Sequence, residues 1–177
     1  IKKEVFMKRM ILLSLFCLAG IVMANAQRFA LIDMEYIMEN IPEYQQANNE
    51  LELASQQYQK AIEAKAKEAE ALYLAYQKAA NTLSAAQRTQ KEEAIVAKER
   101  EAAELRKKYF GPEGEMAQKQ EALIAPIQNR IYEAVKQISA QKGYDAIIDR
   151  ASATSIIFAS PRIDISNEVL AKLGYSN

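Results

Sequence analysis

Hydrophobic and polar positions divide the chain into a long helical middle and two short strand-forming ends. Residues 43–110 contain neither Gly nor Pro, and Ala, Glu, Gln, Lys and Leu dominate them. These residue types lose little conformational freedom on entering a helix. Within this stretch ten positions recur at alternating steps of four and three, and eight of them are apolar or aromatic: Leu51, Ser55, Tyr58, Ile62, Lys65, Ala69, Leu72, Tyr76, Ala79 and Leu83. This spacing is typical of a coiled-coil seam.

A turn signal interrupts the helical middle at residues 81–84. The segment Asn81-Thr82-Leu83-Ser84 is rich in residues that favour turns and caps. Ser84 followed by Gln87 also fits a capping box, in which the two side chains bond each other's backbone. The sequence therefore predicts a helical hairpin whose return helix begins near Ala85. The alternative is one continuous helix over residues 43–110, about 100 Å long.

The return helix repeats the seam and then meets a strong break. Its seam positions again step by three and four: Ile95, Lys98, Ala102, Leu105 and Tyr109. Gly111-Pro112-Glu113-Gly114 follows, and two Gly around a Pro break or kink a helix. Helix is expected to resume near Glu115. We weigh two interpretations of Gly111, Pro112 and Gly114: a hinge that lets the arm splay, or a local bend where the arm meets a base.

A stripe of large branched residues follows the break: Leu123, Ile124, Ile127, Ile131, Val135 and Ile138. It is more hydrophobic than any stripe of the arm and predicts the best-buried helical face of the protein. Pro126 within this run predicts a second kink or a helix restart. We assign oligomerisation to the face formed by Ile127, Ile131, Val135 and Ile138, because a chain that is mostly arm buries too little apolar surface alone.

The two ends of the chain predict a small sheet. Three apolar runs are typical of strands: 28–33, 144–149 and 155–159. The last two are expected to form a hairpin, with residues 163–165 as a candidate extension. Ser166 is expected to cap a final helix over residues 167–173, ended by Gly174. The fold class is therefore α+β, mostly α: a base of residues 27–42 plus 123–177, and an arm of residues 43–122.

Residues 1–26 have the pattern of a signal peptide with a few upstream residues. Met7-Lys8-Arg9 is positive, residues 11–22 are apolar, and Ala24-Asn25-Ala26 fits a cleavage site. The apolar run is too short for a bilayer, which needs roughly 20 residues. We therefore expect export and cleavage after Ala26. The alternatives are a retained anchor and a lipoprotein, and the second is disfavoured because Cys17 lies inside the apolar run.

Composition excludes several kinds of chemistry. The chain has no His and one Cys, which cleavage removes. Disulfides, thiol catalysis and His-based metal or acid–base sites are then excluded. The leader carries four basic residues and one acid of the 23 of each sign, so 19 basic and 22 acidic residues remain. A net charge of −3 does not indicate nucleic-acid binding. We predict no enzyme activity, no cofactor and no metal.

Four acidic residues lie near the ends of the predicted strands and form the remaining candidate cluster: Asp33, Asp145, Asp149 and Asp164. Carboxylates that gather can perform acid–base catalysis or bind Ca²⁺. Asp is also a common cap at the ends of helices and turns. We favour the capping interpretation for this cluster.

This layout resembles the Skp/OmpH family of periplasmic chaperones for outer-membrane proteins. The resemblance is most specific at the ends of the chain, in four segments: Phe29-Ala30-Leu31-Ile32-Asp33-Met34, residues 127–136, Tyr144-Asp145-Ala146-Ile147-Ile148-Asp149, and Asp164-Ile165-Ser166 before Val169-Leu170. The arm resembles the family mainly in composition.

The resemblance implies a periplasmic homotrimer with a small β body and three helical arms around a cavity. It implies ATP-independent shelter of unfolded outer-membrane β-barrel proteins, and contacts with the outer-membrane assembly machinery or lipopolysaccharide. Two features depart from the family pattern: the mature chain is slightly acidic, and the Gly-Pro-Glu-Gly break is not required by it. The alternative function is a structural or adaptor coiled coil of the cell envelope without chaperone activity.

Five side chains of the ascending helix are candidates for client binding: Tyr58, Leu72, Tyr73, Leu74 and Tyr76. Tyr58, Leu72 and Tyr76 lie on the seam, where packing inside the hairpin is the favoured interpretation. Tyr73 and Leu74 lie off the seam. They are therefore the better candidates for contact with an unfolded chain.

Overall fold

The computed structural model describes residues 28–175, and the predicted leader lies outside them. The described chain forms a long antiparallel helical hairpin on a small base that holds a two-stranded sheet. Its elements in order are β1 (Phe29–Ile32), α1 (Met34–Glu39), α2 (Pro42–Ala79), α3 (Ala85–Phe110), α4 (Glu115–Lys142), β2 (Ala146–Asp149), a 3-10 turn (Pro161–Ile163) and α5 (Ser166–Leu173). None of the helices in this part of the chain is long and apolar enough to span a bilayer.

Helices α2 and α3 form the arm. The first has 38 residues with Pro42 in its first turn, and so extends about 57 Å. At the start of α3, Ser84 Oγ accepts a bond from the N–H of Gln87, and Gln87 Oε1 accepts one from the N–H of Ser84. The predicted capping box and tip are confirmed. The alternative of one continuous helix is wrong.

The predicted break separates α3 from α4. Gly111 and Gly114 both have negative φ, so they are not needed for a left-handed conformation. They are needed for close approach: a Cβ at Gly111 would lie 2.3 Å from the carbonyl oxygen of Lys107, and one at Gly114 would lie 2.8 Å from that of Tyr109. Any larger residue would push the backbone of the corner apart.

Helix α4 runs without interruption through Pro126, so the predicted helix restart is wrong. A proline removes one backbone hydrogen bond, and the 28-residue helix continues on either side of it. The helix ends as predicted at Gly143, which has φ 67° and donates its N–H to Ser139 O at 2.8 Å. This left-handed turn leads directly into β2.

Strands β1 and β2 are parallel, with Phe29 opposite Ala146 and Ile32 opposite Asp149. The whole arm and α4 connect them. Asp164 adds a single bridge to Leu31, and the N–H of Ile165 donates to Leu31 O at 2.9 Å. The predicted extension of the sheet is therefore limited to one residue pair.

Residues 155–159 do not form the predicted strand, and the expected hairpin with β2 is wrong. Ile157 is 101% exposed and Phe158 85% exposed. A strand needs a paired neighbour and a face to bury. Among residues 28–175 this segment finds neither, although its composition favours a strand.

Ser166 does not cap the last helix, which corrects the prediction. The residue before the helix is Ile165, and Ser166 is its buried first residue. Its hydroxyl accepts a bond from the N–H of Asp33 at 2.9 Å and donates to Asp164 at 2.6 Å. Ser166 therefore joins α5 to the end of β1 instead of closing its own helix.

The base has one hydrophobic core: Ala30, Ile32, Ile37, Ile41, Ala47, Ile127, Ile131, Ala134, Ile138, Ile165, Val169 and Leu170. Residues from both ends of the described chain contribute to it. The branched stripe of α4 lies inside this core, and Val135 packs half-buried at its edge. The three isoleucines assigned to oligomerisation therefore face the interior of their own chain.

Candidate functional site

The seam between α2 and α3 is thin. Its buried residues are mostly small: Ala54, Ile62 and Ala69 on α2, and Ile95 and Ala102 on α3. All five lie on or next to the predicted stripes, so the predicted faces are confirmed. A seam built largely on alanine brings the helices close but buries little apolar surface.

Tyr58 packs inside the arm, next to the break. Its ring stacks on Tyr109, with centroids 4.1 Å apart and planes 4° apart, and meets Phe110 edge-on at 6.2 Å. A hydrogen bond to Glu115 raises the pKa of Tyr58 and lowers that of the carboxyl group. Tyr58 thus contacts the last turn of α3 and the first turn of α4. This supports the interpretation that its ring packs within the hairpin.

Tyr76 also bonds within the arm. It is half-buried, and its hydroxyl donates to Glu92 on the facing helix, which raises the pKa of the tyrosine. This contact lies about two turns from the tip. Like Tyr58, Tyr76 links the two arm helices.

Leu72, Tyr73 and Leu74 form a contiguous exposed apolar segment, the exposed triplet. Their exposed fractions are 39%, 48% and 47%. Leu72, at its seam position, is partly covered and partly exposed to solvent. The hydroxyl of Tyr73 accepts a bond from Gln77 at 2.9 Å, so its ring lies along its own helix. These three side chains are available to a partner.

The exposed triplet lies in the one long part of the arm that lacks acids. Residues 71–91, here called the distal segment, carry Lys78, Arg88 and Lys91 but no Asp or Glu. The remainder of the arm is rich in Glu. The distal segment therefore combines exposed apolar side chains with positive charge, although residues 28–175 as a whole are slightly acidic.

Two exposed apolar residues of the arm were missed by the sequence analysis: Leu53, 59% exposed, and Val96, 60% exposed. Both lie off the predicted stripes on otherwise polar faces. That position is the signal that distinguishes them from core residues. Each is isolated among polar neighbours, unlike the exposed triplet.

Ion pairs and the aromatic contacts of Tyr58 bridge the break. Lys108 lies 3.2 Å from Glu115 across it, and Lys119 of α4 lies 2.5 Å from Glu50 of α2. Hydrogen bonds from Tyr58 and Lys108 hold the pKa of Glu115 below its usual value. The corner at Gly111, Pro112 and Gly114 is thus held by side chains of all three helices.

The acidic residues of the base have structural partners. Arg150 lies 3.0 Å from Asp33 and 3.2 Å from Asp164. Asp33 also caps α1 by accepting from the N–H of Tyr36, and Asp149 accepts from the N–H of Met34. In residues 28–175 no group of three His, Cys, Asp or Glu side chains is arranged to hold a metal. The favoured capping interpretation agrees with these contacts.

Comparisons with known proteins agree on one family. Residues 28–173 match the family described as outer membrane protein (OmpH-like). The chain is 25% identical over 156 residues to the chaperone protein Skp of Yersinia enterocolitica, covering 88% of this chain and 92% of that one. The crystal structure of an OmpH-like outer membrane chaperone from Caulobacter crescentus shares the fold, with a TM-score of 0.65, 13% identity and 83% of each chain covered. With a match over nearly all of its described length, the chain belongs to the OmpH-like family of outer membrane proteins.

Proposed function

We propose that this protein is an ATP-independent periplasmic holdase that shelters unfolded outer-membrane β-barrel proteins between its helical arms. The observation that carries the proposal is the exposed triplet within the acid-free distal segment. Family membership and the Skp relative support the class of function. No nucleotide is needed, because capture requires only binding energy.

The arm is suited to weak and adaptable binding. Apolar area contributes roughly 25 cal/mol per Å² when it is buried, so three half-exposed side chains bind a client segment weakly on each arm. Several arms acting on one client raise the overall affinity through effective concentration. Weak individual contacts also let the client leave without an energy source.

The proposal includes a homotrimer assembled through the base. Ile157 and Phe158 are the most exposed large apolar residues of the described chain, and the sheet in residues 28–175 has only two strands. A segment with strand-forming composition that pairs with no strand among the described residues is suited to pairing with a neighbouring copy. Ile127, Ile131 and Ile138 then act indirectly, by holding the base that presents this segment, while the half-buried Val135 is available at its edge.

The holdase test is suppression of aggregation by the mature protein. Light scattering follows an unfolded outer-membrane barrel protein diluted from urea, without nucleotide, at one trimer per client chain. We expect the scattering to be abolished by the wild type and largely restored by the pair of changes Tyr73→Ser and Leu74→Ser. Leu53→Ser is the matched control, since Leu53 is exposed but isolated.

One result would contradict the holdase function, and another would contradict its assignment to the exposed triplet. Scattering that the wild type does not suppress, although the protein is trimeric, favours the structural or adaptor function. Equal loss of suppression by the Leu53 control means that the exposed triplet is not the binding site. Light-scattering mass tests the trimer separately: Phe158→Asp with Ile157→Asp is expected to give monomers, and an unchanged mass overturns the assignment of the interface.

The break at Gly111, Pro112 and Gly114 is included in the proposal as the point where the arm adjusts to clients of different size. Only side-chain contacts tie α3 to α4 across it, apart from two short backbone bonds at Gly111 and Gly114. Spin labels at the tips report the distances between arms. We expect Tyr58→Leu to broaden that distribution, and an unchanged distribution would indicate a rigid bend.

A further inference from the structure

The two arm helices carry the same motif. Ile, Ala, Lys, Glu, Ala, Leu and Tyr occur with identical spacing in residues 62–76 and 95–109: Ile62, Ala64, Lys65, Glu68, Ala69, Leu72 and Tyr76, then Ile95, Ala97, Lys98, Glu101, Ala102, Leu105 and Tyr109. Each residue of the second copy lies 33 positions after its counterpart in the first. Because the helices are antiparallel, the two copies face each other around an approximate twofold axis.

Four charged side chains meet at the centre of this arrangement. Between the helices, Lys65 lies 3.4 Å from Glu101 and Lys98 lies 3.1 Å from Glu68. Within the helices, the distances are 3.2 Å from Lys65 to Glu68 and 3.0 Å from Lys98 to Glu101. The charges alternate around a closed ring, here called the charge ring, and equivalent contacts have similar lengths.

The charge ring lies in the seam, with the lysine side chains only 33% and 31% exposed. The buried Ile62 and Ile95 and the buried Ala69 and Ala102 flank it. Hydrogen bonds to Glu101 and Glu68 raise the pKa of Lys98, while those from Lys98 and Lys65 lower the pKa of Glu68. Bonds from Lys98 and Lys65 also lower the pKa of Glu101, so the shifts of Lys98, Glu68 and Glu101 all favour the charged forms.

The apolar part of the seam specifies the pairing poorly. Alanines lie exposed on other faces of both helices: Ala64, Ala66, Ala71 and Ala75 on α2, and Ala94, Ala97 and Ala103 on α3. Small side chains on several faces allow a close approach in more than one rotation. Buried polar residues are known to fix register in coiled coils where apolar residues do not.

A shift of one helical turn would separate every charge in the ring from its partner. Moving α3 by four residues in either direction places Lys65 opposite Ala97 or Leu105, and Lys98 opposite Ala64 or Leu72. The four partly exposed charged side chains would then lose their bonds between the helices. Only the observed pairing places each of the four charged side chains opposite a charge of the other sign on the facing helix.

We propose that the charge ring is the element that selects the pairing of α2 with α3 and locks the distal half of the arm. The apolar seam supplies close packing, and the ring supplies the register and rotation. This role is independent of the proposed chaperone function. It makes the display of the exposed triplet depend on the four charged residues, of which Glu68 lies about one turn before Leu72.

Charge-swapped variants of the mature protein test the lock. A half swap, Lys65→Glu with Glu68→Lys, keeps the ion pair within α2 but places like charges between the helices. A full swap adds Lys98→Glu and Glu101→Lys and restores opposite charges. Composition and net charge are the same in all three proteins, and Glu before Lys is favourable within a helix. Any loss of protection from hydrogen exchange in the half swap therefore comes from the charge pairing between the helices.

Amide hydrogen exchange in α2 and α3 is the measurement, with amides near Ile131 in α4 as the internal reference. We expect the half swap to exchange at least about 5-fold faster between residues 62 and 105, because like charges then face each other between the helices. The full swap should return to the wild-type rates. At 1 M salt the Debye length is about 3 Å, so the difference should shrink. Wild-type rates in the half swap, or no recovery in the full swap, would overturn the proposal.

Discussion

The base and the arm are held together by different kinds of contact. In the base, Ile37, Ile131 and Val169 are fully buried, with 0% or nearly 0% exposure, and they pack against large branched neighbours. In the arm, the largest buried residues are Ile62 and Ile95, and the other buried positions are alanines. From this comparison we expect the base to supply most of the stability. The arm instead supplies reach, and its cohesion depends on tyrosine contacts and ion pairs.

This difference is consistent with the proposed roles. A base that presents an interface must keep one conformation, and large interlocking side chains provide that. An arm that binds unfolded chains benefits from local openings at low cost, which occur where few apolar contacts are buried. Three changes, in decreasing order of expected effect, test this division.

The largest effect is expected from Ile131→Ala in the base. Removing a fully buried isoleucine side chain costs about 2–5 kcal/mol, because the cavity left behind cannot collapse completely. Urea unfolding of the mature protein measures it. Val96→Ala in the arm is the control, because Val96 is 60% exposed and should change stability by less than about 0.5 kcal/mol. Equal losses of unfolding free energy in the Ile131 and Val96 variants would contradict the view that the base supplies most of the stability.

An intermediate effect is expected at the corner between arm and base. Gly114→Ala places a methyl group 2.8 Å from the carbonyl oxygen of Tyr109, so the backbone must shift, at a cost of about 1–3 kcal/mol. Hydrogen exchange should increase at the end of α3 and the start of α4. Pro112→Ala is the control, since Pro112 is exposed and lies in the same turn. Unchanged hydrogen exchange at the corner of the Gly114 variant would mean that the turn can accommodate the added methyl group.

The smallest effect is expected from acid, and it should appear in the arm first. Bonds from lysines lower the pKa of Glu68 and Glu101, and a bond from Tyr58 lowers that of Glu115. A depressed carboxyl pKa adds stability that is present above the unfolded value of 4.5 and is lost as the pH falls through the folded value. Glu43 and Asp149 at the edge of the base also have lowered pKa values, but the core cluster that holds the base together contains no titratable side chain. Hydrogen exchange corrected for intrinsic rates should therefore show the arm opening at a higher pH than the base.

Local signals in the sequence predicted the ends of the elements well. Pro42, Ser84 and Gly143 each act through their own backbone or a neighbour within a few residues, so their effects do not depend on the rest of the fold. The same locality explains the break at Gly111. The α+β class and the hairpin followed from these signals together with the seam.

The errors arose where a hydrophobic pattern had to be assigned a partner. The stripe at Ile131 is buried as predicted, but by the two ends of its own chain. Ile157 has an equally strong pattern and is covered by nothing in the described chain. Leu72 fits the seam by spacing, but its side chain is covered only in part. Spacing gives the face of an element, whereas its partner depends on contacts between residues far apart in sequence.

The parallel pairing of β1 with β2 has a consequence for the order in which the chain folds. Phe29 pairs with Ala146, 117 positions away, so the base requires almost the whole chain. The hairpin of α2 and α3 needs only residues 42–110, and such local contacts form fast. In a chain that emerges with its N-terminus first, the arm is expected to form before β1 can pair with β2. The last segments to emerge, β2 and α5, then complete the base and make assembly possible only for finished molecules.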